Sequence, residues 1–301
     1  MAMSELDGRA VVVGADGGGT DGPALRWAAL HASRTGLPLL AVHASEPEAL
    51  AARAAGAGAP DITVLLEAED VRAGSVRATV AELAATFGIE ASVSIERGSP
   101  VRALLEHQDR AALIVLGTGR KGALEEFVLG TTSIGVAAHA TVPVVILNPE
   151  VDVDGLTRGR IAVAVDGSPD SEAAARAAVA YAARTGCALT AVTAWYLEVV
   201  DGYVVTEPDS PEWRQIEQAR EAMLRDVLRP ALAEHPGVQV ELDVRRGPIV
   251  GTLREVAREV DLVVVGSRGR GSFAGRLLGS VSQRVMRAAR CPVMVVTSPR
   301  R

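Results

Sequence analysis

Along the chain, short unbroken apolar runs alternate with longer stretches whose apolar residues recur at helical spacing. The runs at 9–13, 37–42, 90–95, 113–116 and 142–147 are rich in aliphatic and β-branched side chains, the pattern of strands buried on both faces. Between them, 23–34, 70–87, 101–107 and 131–139 read as amphipathic helices. Matching helical segments return at 170–184, 212–234, 249–259 and 280–289. Strict alternation of strand and helix requires right-handed crossovers, so it predicts a parallel sheet of about five strands in each half. The expected fold class is α/β: two doubly wound five-stranded parallel-sheet domains in tandem.

The two halves also repeat in detail. Laying 15–44 on 165–194 at an offset of 150 gives 13 identities in 30 positions, among them Asp16/Asp166, Gly17/Gly167 and Arg26/Arg176. Laying 113–147 on 262–296 at an offset of 149 gives 11 in 35, including Gly117/Gly266, Gly130/Gly279, Ser133/Ser282 and Pro143/Pro292. A period of this length marks duplicated domains rather than solenoid units. The expected domains are 1–150 and 158–301, with 149–159 as the linker.

Composition narrows the field further. At 301 residues, 48% hydrophobic and 23% charged, the chain can bury two cores. A net charge of −6 and only nine aromatic residues argue against nucleic acid as a partner. No apolar run approaches the roughly 20 residues of a membrane span, and the first residues lack the order of a signal peptide. A cytoplasmic protein without a membrane partner is expected. Cys187 and Cys291 read as small buried residues. His31, His43, His107, His139 and His235 show no metal-ligand spacing, so surface or packing roles and no metal site are expected.

Candidate chemistry gathers where such a sheet binds ligands, beyond the carboxyl ends of the strands at the point where strand order reverses. The first strand of each repeat ends in Asp16-Gly17 and Asp166-Gly167-Ser168, and the fourth ends in glycine-rich loops. The second loop runs Gly266-Ser267-Arg268-Gly269-Arg270-Gly271-Ser272 and delivers Gly279, Ser280, Val281 and Ser282 at the start of a helix. Glycines let backbone N–H groups approach phosphates, and a helix N-terminus adds partial positive charge. The competing reading has these glycines make a tight turn and Ser280 cap the helix.

The spacing of Gly266, Gly269, Gly279 and Ser280, after a fourth strand and beside a strand-one aspartate, resembles the ATP-binding signature of the universal stress proteins. That resemblance covers nearly the whole chain. It implies a Rossmann-like fold of the adenine nucleotide alpha hydrolase type and ATP as ligand, alone or with magnesium. It implies that Asp166 holds the ribose, that Ala164 and Ala194 frame the adenine, and that Gly266, Arg268, Gly269, Gly271, Gly279, Ser280 and Val281 surround the phosphates. A left-handed or otherwise glycine-only backbone at Gly269 would bring its N–H onto a phosphate. In the family the last strand mediates dimerisation, which implies an internal pseudo-dimer of the repeats or a homodimer.

The first repeat departs from the signature. Its corresponding set is Gly14, Asp16, Ala44, Gly117, Gly119, Gly122, Gly130 and Thr131, but Arg120 stands where the second repeat has Gly269, and no serine follows Asp16-Gly17. Both readings stay open for it, an ATP site of lower affinity and a decayed structural repeat. The G-x-G-x-x-G at 117–122 follows the wrong strand for a dinucleotide fingerprint, and the chain's one lysine, Lys121, is followed by Gly122, which excludes a P-loop. Ser171 and Ser210 lack a nucleophile elbow and read as helix caps. Segments 45–66 and 196–211 read equally as lids or as surface connections. No catalytic residue is assigned. The expected function is nucleotide-dependent regulation in a stress response; the alternatives are a slow ATPase or nucleotidyl transferase, or an interaction scaffold independent of nucleotide.

Overall fold

The computed structural model describes residues 9–19, 22–46, 62–118, 129–196, 199–200, 203–204, 207–269 and 278–298, and the chain divides into two units, Met1–Val153 and Asp154–Arg301. The first unit runs β1 (Ala10–Gly14), α1 (Gly22–Thr35), β2 (Leu39–Ser45), α2 (Ile62–Phe87), β3 (Ala91–Arg97), α3 (Pro100–Glu106), β4 (Ala111–Gly117), α4 (Thr131–His139) and β5 (Val144–Leu147). The second runs β6 (Arg160–Ala164), α5 (Pro169–Thr185), β7 (Ala188–Trp195), the short strands β8 (Val199–Val200) and β9 (Tyr203–Val204), α6 (Pro211–Glu234), β10 (Val240–Arg246), α7 (Ile249–Val256), β11 (Leu262–Gly266), α8 (Ser280–Ala288) and β12 (Val293–Val296).

Within each unit five strands pair in parallel. In the first, β1 lies between β2 and β4, with β3 outside β2 and β5 outside β4. In the second, β6 lies between β7 and β11, with β10 outside β7 and β12 outside β11. This is the doubly wound sheet expected from the alternation of runs, and it is built twice. Strand order reverses between β1 and β4 and again between β6 and β11, so connections diverge there and leave a cleft. Val11, Val12 and Val13 are 0% exposed, which is why β1 reads as a continuous apolar run rather than an alternating one. β10 carries Glu241, Asp243, Arg245 and Arg246, charges that discourage further pairing along its free side.

Local sequence explains where the helices begin and end. Ser168 caps α5 by accepting from the Ser171 N–H at 3.2 Å, Pro169 takes the first helical position, and Gly186 ends the helix at φ 71°. Ser210 caps α6 in the same way, accepting from the Trp213 N–H at 3.1 Å. Capping in α5 therefore belongs to Ser168. Ser171 sits inside the first turn, where its hydroxyl donates to the Ser168 carbonyl at 2.9 Å. Helix α2 starts at Ile62 instead of 70, because exposed valines, Val64 at 54% and Val71 at 73%, blur its apolar stripe.

The structure also bears on the linker segment, the cysteines and the histidines. The 149–159 segment is packed, with Val151, Val153 and Leu156 all buried. Cys291 is buried and its thiol is pushed up to about 12 by that burial, whereas Cys187 is partly exposed. His31, His43 and His107 are buried, and His31 stacks on Trp27 at 5.0 Å. Most of 45–66 lies outside the described residues, as does part of 196–211, where β8 and β9 form a short antiparallel hairpin. No helix among the described residues is long and apolar enough to cross a membrane.

The floors of the two clefts solve one packing problem in two ways. At the end of β1, a Cβ on Gly14 would lie 2.7 Å from Leu116 Cδ2 and 3.4 Å from Leu104 Cδ1. The corresponding residues of the second repeat are Ala164 and Val265, a methyl gained on one strand and a methylene lost on its neighbour. Gly14→Ala alone should overpack this floor and destabilise the first unit by about 1–2 kcal/mol. Gly14→Ala with Leu116→Val should restore most of that loss, read as the midpoint of thermal unfolding. Purely additive effects of the two changes would show that the residues do not share this space.

Candidate functional site

In the second unit the cleft at the strand reversal encloses about 350 Å³. Its wall begins where β6 ends. The carboxylate of Asp166 accepts the Ser168 N–H at 3.0 Å, a turn that needs the positive φ of 76° at Gly167. Ala164, Val165, Asp166 and Ser171 line this side, and Thr193 and Ala194 at the end of β7 line another. Ile249 and Leu253 of α7 and Val265 of β11 supply apolar surface, and Arg220 of α6 also reaches the wall.

The rest is the loop after β11. A Cβ on Gly266 would lie 2.8 Å from the Asp170 carbonyl carbon, so the strand end rests directly on the first turn of α5. A Cβ on Gly269 would lie 2.6 Å from the Asp166 carboxylate. Gly269 does not adopt the left-handed region, the first of the two backbone forms considered for it; the absent side chain matters there for contact with Asp166. The returning limb of the loop closes through the Gly279 N–H, which donates to the Ser267 carbonyl at 2.8 Å. The Ser282 hydroxyl reaches the same carbonyl at 2.9 Å. Helix α8 has Gly279 as its N-cap and no side-chain cap. Its first-turn N–H groups thus begin at the cleft wall, where Gly279, Ser280, Val281 and Ser282 lie.

Beneath the loop lies a buried carboxylate. Asp170, 4% exposed, accepts from the Ser267 hydroxyl at 2.7 Å, from the Arg268 N–H at 3.0 Å and from Arg268 Nε at 3.1 Å. On its other oxygen it accepts from the Ser298 N–H at 3.2 Å and from the Ser298 hydroxyl. The Arg268 guanidinium, a phosphate contact by resemblance, is thus turned onto Asp170. Burial opposes the charge on Asp170. Hydrogen bonds from Ser298, Ser267 and Arg268, with the Arg268 charge, outweigh it and hold the carboxyl below the ordinary value of 3.8.

The first unit has a smaller cleft of about 200 Å³. Gly14, Asp16, Ala44 and Gly117 line it, with Thr132 and Ser133 from α4, while Gly130 and Thr131 sit at the start of α4 outside its wall. Asp16 accepts the Gly18 N–H at 2.7 Å, the same turn as at Asp166. Where the second unit has an ion pair under its loop, the first has a neutral bond from the Thr118 hydroxyl to Asn148 Oδ1 at 3.1 Å. His43, which the repeat aligns with Thr193, has Nδ1 2.8 Å from the Ala15 carbonyl and Nε2 3.3 Å from Glu69.

Of the sequence-derived set in the second repeat, Ala164, Asp166, Ala194, Gly266, Arg268, Gly269, Gly279, Ser280 and Val281 surround one cleft. Gly271, Gly119 and Gly122 lie outside the described residues, as does Arg120. Sequence reasoning missed Thr193, Arg220, Ile249 and Leu253. The last three lie on amphipathic helices whose pattern shows which face is buried but not which end meets a cleft. Among the described residues no cluster of three or more His, Cys, Asp or Glu side chains could hold a metal ion.

A family model described as the universal stress protein family matches the chain twice, over residues 8–148 and 157–297. A universal stress protein of Mycolicibacterium smegmatis is 34% identical over 291 residues, which is 95% of this chain and 96% of that one. One from Mycobacterium tuberculosis is 32% identical over 311 residues, 95% of each chain. The crystal structure of a universal stress protein from Archaeoglobus fulgidus is similar with a TM-score of 0.68 at 21% identity, over 97% of this chain and 99% of that one, a likeness of fold.

The Asp170 cluster makes a pH-dependent contribution to stability. A carboxyl depressed in the folded state stabilises above its unfolded pKa and loses that contribution as pH falls through the folded value. Asp170→Asn should cost roughly 2 kcal/mol at neutral pH, since hydrogen bonds to a charged group are lost beside Arg268. The gap between the two proteins should close as pH falls below 3.8. Denaturant unfolding at several pH values checks this, and a gap independent of pH would mean that Asp170 is not the ionised partner.

Proposed function

The chain belongs to the universal stress protein family, and from that footing we propose that its second unit binds ATP and acts as a nucleotide-dependent regulator in a stress response. The observation that carries the reading is the convergence at one cleft of an aspartate, a loop that skirts it at Gly269 and a helix N-terminus without a side-chain cap. At Gly269 the loop backbone passes so close to Asp166 that any side chain would intrude on the carboxylate.

The residues present fit an adenine nucleotide. Ile249, Leu253, Val265 and Ala194 offer apolar surface for a base. The Asp166 carboxylate can accept from ribose hydroxyls, and the N–H groups of Ser280 and Val281, with the Ser280 hydroxyl, can donate to phosphates. Bound ATP supplies a polyanion whose length distinguishes it from ADP and AMP, which lets occupancy of the loop report the nucleotide state. A cleft of 350 Å³ falls within the roughly 300–1,000 Å³ of small-molecule sites, whereas the 200 Å³ of the first unit falls below it. The smaller cleft, and Arg120 in the place of Gly269, favour the first repeat as the weaker site. The Arg268 guanidinium is held by Asp170, which favours a part in supporting the loop over a part as a charged clamp on a transferred phosphoryl group.

Calorimetry on the intact protein should show ATP binding more tightly than NAD, at one site or at two unequal ones. Gly269→Ala should weaken the tighter site at least tenfold, about 1.4 kcal/mol, because the new methyl meets the Asp166 carboxylate. Steady-state hydrolysis should stay well under the roughly 1–1,000 per second of ordinary enzymes. Tighter binding of NAD, or an isotherm untouched by Gly269→Ala, would remove the assignment.

A further inference from the structure

We infer that Asp170 is a positioning residue of the second cleft: from outside the wall it sets the loop backbone on which the terminal phosphates of a bound nucleotide would rest. The inference deepens the ATP reading of this cleft and rests on it.

Asp170 does not line the cleft. It occupies the second position of α5, where the helix N-terminus already favours a negative charge. Its two oxygens gather three segments distant in sequence: the first turn of α5, the start of the loop at Ser267 and Arg268, and Ser298 beyond β12. From there the constraint passes in one step to the far limb. The Ser267 carbonyl accepts both the Gly279 N–H and the Ser282 hydroxyl. The two limbs of the loop are thus referred to one buried carboxylate, and the cradle is set before any ligand arrives. Preorganised N–H groups bind an anion without a reorganisation cost, so their placement enters phosphate affinity directly.

The first repeat has threonine in sequence at the corresponding position, Thr20. Its strand-four end is held by the neutral bond between Thr118 and Asn148. The inequality of the two clefts therefore follows from this anchor as well as from the glycine replaced by Arg120.

The test uses the full chain and a ladder of adenosine, AMP, ADP and ATP by calorimetry, with amide hydrogen exchange in parallel. Asp170→Asn keeps the side-chain volume and removes the charge. It should leave adenosine affinity unchanged, weaken AMP slightly and weaken ATP roughly tenfold, a loss graded by phosphate count. Exchange at the Gly279 amide should quicken by more than exchange in β6 and β7, whose amides lose protection only in step with global stability. Ser298→Ala removes one donor and leaves Arg268 paired; it should show the same graded pattern at smaller size, and it carries the test if Asp170→Asn fails to fold. Equal losses for adenosine and ATP in these variants, or ATP affinity unchanged in both, would overturn the inference while leaving the ATP reading intact. If the unaltered protein binds none of the four ligands, the ATP reading falls. The exchange measurement then still decides whether Asp170 sets the loop, and an unchanged Gly279 amide means that it does not.

Discussion

The end of β11 and the first turn of α5 approach until only a hydrogen fits between them, and the second cleft depends on that contact. A side chain at Gly266 would strike the Asp170 and Ser171 backbone at under 3 Å. Because it is absent, Ser267 and Arg268 arrive within hydrogen-bonding distance of the Asp170 carboxylate, and a charge that burial alone would disfavour is held by several donors beside the loop. The aspartate at the end of β6, the glycine that skirts it and the start of α8 then come to face one space.

Duplication supplied two such arrangements, and they have diverged in what holds them. In the first unit the loop after β1 is braced from the side of α2. A Cβ on Gly17 would lie 2.6 Å from the Arg72 carbonyl oxygen, and buried His43 links the Ala15 carbonyl to Glu69. Glu69 in turn accepts from Arg72 at 2.7 Å. In the second unit the bracing comes from the β11 loop, through Asp170 and through the Ser168 hydroxyl, which donates to the Arg268 carbonyl at 3.4 Å. Both units keep the sheet, the aspartate turn and the volume of the cleft floor. They differ in whether polar stabilisation is placed beside the cradle or away from it.

A separate polar and aromatic cluster stiffens the second unit at the ends of β7 and β10. Trp195 and Trp213 meet edge to face at 4.7 Å, and the Arg246 guanidinium lies 5.0 Å from the Trp213 ring and 5.7 Å from the Trp195 ring. Ile216 and Val244 pack against the same rings. The cluster joins the first turns of α6 to the sheet close to where Thr193 and Ala194 enter the cleft wall, so that wall stands on an aromatic support.

Sequence by itself determined the duplication, the parallel sheets, most strand and helix positions, and the two loops that meet at each strand reversal. These are properties of local period and of spacing: a buried strand must read as a continuous apolar run, and a repeated glycine pattern survives without knowledge of any contact. Tertiary structure alone decided that Arg268 turns onto Asp170, that Arg220 reaches the wall, that Gly269 is needed for room beside Asp166 rather than for a left-handed backbone, and that Ser168 rather than Ser171 caps α5. Asp170 itself reads in sequence as an ordinary acidic residue in a first helical turn. Its partners lie 97, 98 and 128 positions away, and hydrogen bonds between residues so far apart leave no periodic trace, because their geometry exists only once the strands have paired.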